Sequence, residues 1–282
     1  MKGYMLGMLA ETPIHPGAGQ VYSVIDLPVA RERTTHYPMI PGSSLKGALR
    51  DKLEEEMTGQ DHRLKQLFGK QDQAGAFSVT DARLLLLPVR SLTGHYRWVT
   101  CPYLLQRLCR DLQLIGVCDK QKIPFPLDFF GLQKEEAIVE DTGESTIFLE
   151  ELSFNVKVEP EIIGQLIPFL TSLIRHEFMQ SDVVKRLTII HDEEFAHFAR
   201  YGLPVMSRNK LEDETKKSEN LWQEETIPPD SLFYTLLIAR NGKEEVIEEL
   251  ADHLKENVYL QVGGNETVGQ GWMVTKLMGR VG

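Results

Sequence analysis

Three stretches of this chain carry residue types and spacings suited to chemistry. The first is Ser23-Val-Ile-Asp26-Leu-Pro-Val-Ala-Arg31-Glu-Arg33, an acid in a proline-bounded loop with two arginines close behind. A carboxylate placed in this way is either a general base or metal ligand beside a phosphate, or a loop residue that caps and pairs. The second is Ile40-Pro-Gly-Ser-Ser-Leu-Lys-Gly-Ala-Leu-Arg50. A Gly-Ser-Ser turn entering a helix leaves N–H groups pointing forward, a seat for phosphate, and Lys46 and Arg50 share one face. The same residues also read as an ordinary helix start, with Ser43 or Ser44 as the N-cap and the cations solvated. The GxxxxGK[ST] loop is absent. The third is Gly263-Gly-Asn-Glu-Thr-Val-Gly269-Gln-Gly271. Its glycines let a backbone approach a ligand or another chain, or make a tight turn between two strands. His15, His36 and the pair Glu224-Glu225 are further candidates for acid–base work, and Met206 and Trp222 for packing or base-stacking.

The elements that must position these residues follow from periodicity. Strands are expected at residues 3–11, 76–87 (ended by Pro88), 147–158, 187–190, 231–240 and 259–262. Helices are expected at 43–57, 102–116, 161–179, 192–201 and 243–256; in the first, Leu45, Leu49, Leu53 and Met57 make an apolar stripe. Residues 205–223 read as a hairpin arm with the polar tip Asp213-Glu-Thr-Lys-Lys-Ser-Glu-Asn220. Residues 12–41 form a long proline- and glycine-rich connection, of a length that is usually functional or disordered. Strand, helix and strand recur at both ends of the chain. The expected fold is therefore α+β, with a ferredoxin-like (RRM-like) βαββαβ core in one domain over 1–282. The core takes about 1–89 and 231–282, with insertions over about 90–230.

Composition bounds the rest. The 282 residues carry 31 Lys+Arg against 41 Asp+Glu, for a net charge of −10, with 42% hydrophobic content. These values exclude a disordered or collagen-like chain. No apolar run approaches a membrane span, and the apolar start lacks a convincing cleavage site. Cys101, Cys109 and Cys118 form no CxxC pair, so neither a disulfide framework nor a structural zinc site is expected, and a reducing cytoplasm is the simplest location. Charge is segregated: five arginines and no acids between 82 and 110, and nine acids with two lysines between 134 and 161. The arginines either pair with the acidic segments in the fold or form a basic track for a polyanion.

Taken in order, these motifs resemble a known family. Thr12-Pro-Ile-His15-x-Gly17-x-Gly19, Asp26-Leu-Pro-Val-x-Arg31-Glu-Arg33-x-Thr35, Pro38-x-Ile40-Pro-Gly-Ser-Ser-Leu-Lys-Gly-Ala-Leu-Arg50, Ser78-Val-Thr-Asp-Ala-Arg-Leu-Leu-Leu-Leu-Pro-Val-Arg90 and Trp98-Val-Thr-Cys-Pro102 resemble the RAMP superfamily of CRISPR proteins. The likeness returns at Leu221-Trp-Gln-Glu-Glu225 and Gly263-Gly-Asn-Glu-Thr-Val-Gly269, so it spans nearly the whole chain. It is nearest to the helical-backbone subunits of the type III-B effector, the Cmr complex. The Arg31-Glu-Arg33 continuation favours these over the type III-A backbone subunits. His36-Tyr37 and His15-Pro16 depart from the usual pattern.

The resemblance implies a thumb-like β-hairpin at about 204–224 and copies stacked along a CRISPR guide RNA beside other Cmr subunits, with complementary target RNA cut at regular intervals. It implies that Asp26 assists attack of a 2′-hydroxyl, with a divalent ion, Mg²⁺ or Mn²⁺, as cofactor. His15, Glu224 and Glu225 join Asp26 as catalytic candidates. Ser43, Ser44, Lys46, Arg50, Arg31, Arg33, Met206, Arg208, Gly263, Gly264, Gly269 and Gly271 are expected along the RNA. The alternative is a guide-binding scaffold in which Asp26 only orders its loop.

Overall fold

Strand β1 (Gly3–Ala10) is apolar on both faces, and this decides the architecture. Leu6, Met8 and Ala10 enter one core, while Met5 and Leu9 enter another. A strand buried on both sides must lie inside a sheet with a layer on each face. The structure, a computed structural model, describes residues 3–20, 23–57, 59–118, 125, 131–212, 214–215 and 217–278. Residues 213 and 216 of the expected hairpin tip lie outside them.

A long connection leads from β1 to β2 (Met39–Ile40), α1 (Gly42–Glu56) and α2 (Asp61–Phe68). The small hairpin of β3 (Gly69–Lys70) and β4 (Gln73–Ala74) follows, then β5 (Phe77–Val79), β6 (Ala82–Arg90), β7 (Tyr96–Thr100) and α3 (Pro102–Leu114). The middle of the chain holds β8 (Glu136–Val139), β9 (Thr146–Leu149), β10 (Leu152–Val158), α4 (Pro160–Ser172), α5 (Glu177–Arg186), β11 (Leu187–Ile190) and α6 (Asp192–Tyr201). The arm formed by β12 (Val205–Leu211) and β13 (Ser218–Glu225) comes next, then β14 (Leu232–Ala239), α7 (Glu244–Glu256), β15 (Tyr259–Gln261) and β16 (Trp272–Met278).

The main sheet runs β15-β16-β1-β14-β6-β7-β11-β8-β10-β9, with β2 added to β6 and β5 to β14. Its section β16-β1-β14-β6 is antiparallel throughout. With α1 following β1 and α7 following β14, this is the strand order expected of a βαββαβ core. Helices α1 and α7 cover one face through Leu45, Leu49, Leu53, Ile247, Leu250 and Leu254. Helices α3 and α4 cover the other through Leu105, Leu108, Leu112, Ile163, Leu166 and Leu170. Burying each such side chain contributes roughly 1.5–3 kcal/mol. Part of the 90–230 insertion joins the same sheet: β7, β11, β8, β10 and β9 extend it beyond β6, with parallel pairs β7–β11 and β8–β10.

Several expected elements divide. The strand at 76–87 breaks at Thr80-Asp81 into β5 and β6, and Pro88 lies within β6 opposite Trp98. Pairing with β14 stops at Leu86, so proline falls beyond the doubly paired stretch, where a missing N–H is tolerated. A register shift opposite Leu232/Phe233 leaves Leu85 as an extra residue, which moves the core-facing set from Ala82 and Leu84 to Leu87 and Val89. The strand at 147–158 is a hairpin turning at Glu150, which has φ 47°. The helix at 161–179 is two helices. Lys276 Nζ bonds the carbonyls of Thr171 and Ile174 at 2.9 Å and closes the end of α4 from a distant strand.

Candidate functional site

Four segments far apart in sequence meet at the base of the β12–β13 arm. The loop around Asp26 lies alongside β13: Leu27 forms a parallel bridge to Glu224, its N–H donates to the Gln223 carbonyl at 3.0 Å, and the Glu225 N–H donates to the Leu27 carbonyl at 3.0 Å. The Gln223 N–H donates to Asp26 Oδ2 at 2.8 Å, orienting a half-buried carboxylate. Asp26 is thus attached to the arm rather than held by a free loop.

Glu225 ties this junction together. Its side chain is 4% exposed; Oε1 accepts from Arg31 Nη2 at 2.6 Å and Oε2 from the Val29 N–H at 3.0 Å. Its backbone carbonyl faces His15 Nδ1 at 2.8 Å. With a carbonyl as partner, Nδ1 carries the proton. Glu224, equally buried, accepts from Asn265 Nδ2 at 2.5 Å and lies 3.4 Å from Arg208 Nη2. Both glutamates, expected as catalytic candidates, are therefore engaged by internal donors, and they position the loops on either side.

The glycine loop joins from the opposite side as a connection between β15 and β16. Gly263 has φ 89°, and a Cβ there would lie 2.6 Å from the His15 carbonyl oxygen, so the close approach requires glycine. The Gly264 N–H donates to that carbonyl at 3.0 Å and the Gly271 N–H to the Pro13 carbonyl at 2.9 Å. Gly263, Gly264 and Gly269 stay exposed, while Gly271 is buried. Asn265, with φ 66°, bridges Glu224 and Gln270 and was not among the expected residues, although a left-handed Asn after Gly-Gly is a recognisable turn signal.

Other expected residues are placed differently. Arg31, expected along the RNA, is engaged within the fold: its guanidinium bonds the carbonyls of His36 at 2.8 Å and Ala199 at 2.6 Å as well as Glu225, so it clamps the loop to α6. Arg33 is exposed. Ser43 and Ser44 are exposed but do not cap α1; Pro41 is the N-cap, and Asp81 Oδ1 takes the Gly42 N–H at 2.7 Å. The Ser43 and Ser44 N–H groups keep the free direction of a helix start. Lys46 lies 6.0 Å from the Phe77 ring centre, and Arg50 pairs with Glu54 at 2.6 Å. Among the described residues no hydrogen bond or ion pair joins Ser43, Ser44 or Lys46 to the Asp26 cluster. Of the two alternatives for the five arginines, internal pairing holds for four: Arg83 pairs with Asp111, Arg90 with Glu150 and Arg107 with Glu32, and Arg97 bonds Thr188 in the interior, while Arg110 is exposed.

The arm itself exposes apolar side chains. Val205 is 45% exposed, Met206 38%, Leu211 47% and Leu221 62%. Arg208 stands beside Met206 on β12 and pairs in register with Trp222. Among the described residues no group of three or more His, Cys, Asp or Glu is arranged to hold a metal ion. Asp26 fits an ion only as a single carboxylate, the rest of the shell coming from water and substrate phosphate, an arrangement Mg²⁺ accepts. Among the described residues no helix is long and apolar enough to cross a membrane.

A family model described as the RAMP superfamily matches residues 8–274. The CRISPR system Cmr endoribonuclease Cmr4 of Pyrococcus furiosus is 35% identical, covering 98% of this chain and 96% of that protein. The crystal structure of oligomeric Cmr4 from Pyrococcus furiosus matches with a TM-score of 0.80 and 31% identity over 100% of both chains. A chain of the type III-B Cmr-beta complex bound to cognate target RNA, solved by cryo-EM, shares the fold at a TM-score of 0.80 and 21% identity, over 98% and 97% of the two chains. The chain belongs to the RAMP superfamily and, within it, to the Cmr4 subunits of type III-B CRISPR Cmr complexes.

Proposed function

We propose that this chain is the cleaving backbone subunit of an RNA-guided ribonucleoprotein. Copies line up along a CRISPR guide RNA, with other Cmr subunits at the ends, over a ferredoxin-like core. Each copy cuts complementary target RNA once, giving regular spacing. Support comes from the relative named as an endoribonuclease and from the relative crystallised as an oligomer. The observation that carries the proposal is the attachment of Asp26 to β13. An arm with exposed Val205, Met206 and Leu221 is a suitable wedge between stacked bases. A nucleotide displaced by that wedge comes next to Asp26, a half-buried carboxylate fixed at its base beside the buried Glu224 and Glu225.

RNA supplies its own nucleophile. The 2′-oxygen bonds to phosphorus, the bond from phosphorus to the 5′-oxygen breaks, and a 2′,3′-cyclic phosphate and a 5′-hydroxyl result. Asp26 takes the 2′-hydroxyl proton, and the leaving oxygen is protonated from water. The displaced nucleotide supplies the in-line geometry, and a held near-attack arrangement lowers the barrier. Mg²⁺ or Mn²⁺ held by Asp26 and phosphate oxygens would neutralise phosphate charge. His15, Glu224 and Glu225 keep the loops in place. The test uses the complex reconstituted with guide RNA and an end-labelled complementary target. Evenly spaced cuts that stop in EDTA and resume with Mg²⁺ or Mn²⁺ are expected. An intact target would overturn the proposal, and cleavage undiminished by EDTA would remove the ion.

Lys46 is assigned to the guide-RNA backbone near the exposed start of α1. Lys46→Ala should weaken guide binding and flatten its salt dependence by roughly 0.7 in log–log slope, the value for one neutralised phosphate on a single strand. Filter binding across a salt series measures this, and an unchanged slope would take Lys46 off the RNA path.

A further inference from the structure

A cleft of about 680 Å³ lies between the segment after Arg31, the bend joining β5 to β6, and α3. Its walls carry Arg33, Arg83, Arg107 and Arg110, together with Thr34 and Tyr103, and no lysine. Three carboxylates also line it, and each already has an internal donor. Glu32 accepts from Arg107 Nη1 at 2.5 Å and Thr35 Oγ1 at 2.6 Å, and Asp81 from the Gly42 N–H. Asp111 accepts from Arg83 and from the Tyr234 hydroxyl at 2.7 Å. Burial, and then the Asp111 charge, push the Tyr234 phenol well above its ordinary range, which keeps it a donor.

Donors without acceptors remain. The Arg107 side chain is 8% exposed and lies 5.4 Å over the Tyr103 ring, and its Nε and Nη2 are buried with no partner. Buried polar groups are almost always hydrogen-bonded, so two idle donor nitrogens on one guanidinium point to a missing acceptor. Arg33 and Arg110 are exposed at the same cleft and have no acidic partner among the described residues.

We propose that this cleft seats a backbone phosphate of bound RNA, gripped by Arg33 and Arg110 with Arg107 behind them. The inference rests on the RNA-guided function above. Guanidinium forks match phosphate oxygens two at a time, which suits a lining whose cations are all arginine. The volume is sufficient for a nucleotide, and Tyr103 offers an aromatic face. Position supports the same ligand. Asp81, on the cleft wall, caps the first N–H of α1, and Arg33 continues the Asp26 loop, so the cleft lies between the two segments assigned to RNA.

The test is the double variant Arg33→Ala/Arg110→Ala, whose side chains are exposed and whose removal should leave the fold intact by thermal unfolding. Guide-RNA affinity is measured by filter binding across a salt series, beside Lys46→Ala. The double variant should bind more weakly, with a slope shallower by roughly 0.7 for each phosphate left without its arginine. A double variant that binds as the parent does, while Lys46→Ala weakens, would overturn the cleft and leave the RNA-guided function standing. Parent-like binding by both variants would overturn the cleft together with the RNA path over α1. Parent-like RNA binding with impaired self-association would show that the cleft takes an acidic segment of a second copy, which also overturns the proposal.

Discussion

Asp26→Asn is expected to abolish target cleavage while guide RNA and target RNA remain bound. The side chain is half-buried, and its Oδ2 accepts the Gln223 N–H at 2.8 Å. Asparagine has nearly the same shape, and its amide oxygen can accept that N–H. The loop should therefore stay attached to the arm, as thermal unfolding would confirm. What asparagine lacks is the ability to take a proton or hold a cation through a charged oxygen. A general base contributes roughly 10²–10⁴-fold in rate, a loss a gel resolves easily. Guide binding should not change, because it is assigned to the start of α1 and the glycine loop. If the asparagine variant cuts at the parent rate, Asp26 only orders its loop and the chain is a scaffold.

The second large effect is expected at Glu225. Its carboxylate holds Arg31 and the Val29 N–H, and its backbone holds His15 and Leu27. Removing one partner from a buried ion pair typically costs about 3–5 kcal/mol, because the other charge is left uncompensated. Arg31 is 18% exposed and keeps its bonds to backbone carbonyls, so Glu225→Ala should fall near the lower end of that range. Chemical denaturation measures this. Cleavage should fall with it, because the Asp26 loop loses its anchor. Glu225→Gln separates the two causes: its amide oxygen can still accept from Val29, so it should recover part of both stability and cleavage. A Glu225→Ala protein of parental stability and full cleavage would show that the carboxylate does not hold the loop.

Much of this arrangement was legible in the chain itself, and what was not has a physical reason. The alternation of Leu6, Met8 and Ala10 against Met5 and Leu9 carries the central strand, and the Leu45–Leu49–Leu53 stripe carries the helix beside it. The order of the Asp26, Ser43–Lys46 and Gly263–Gly271 segments carried the family. The partners of those segments were hidden because they lie far away in sequence. Asp26 meets Gln223 across 197 positions and Val29 meets Glu225 across 196, and no local pattern encodes either pairing. The serines at the start of α1 fit an N-cap by type, but Asp81 provides the oxygen from 39 residues away. Arg31 and Arg33 look alike in sequence; the approach of α6 and of Glu225 makes the first a clamp, while the second stays exposed. For the basic stretch between 82 and 110 the sequence left pairing and a polyanion track both open, because the partners Glu32, Asp111 and Glu150 come from other elements.

The central claim is that a carboxylate fixed to the base of the arm assists attack by the 2′-hydroxyl of the nucleotide beside it. The most direct measurement is a target RNA carrying a single 2′-deoxy nucleotide on the 5′ side of one cut, incubated with the reconstituted complex. Expected is loss of cleavage at that bond alone, with the neighbouring cuts unchanged and the target still bound. Cleavage of that bond at the parent rate would show that the hydroxyl is not the nucleophile and would contradict the role given to Asp26.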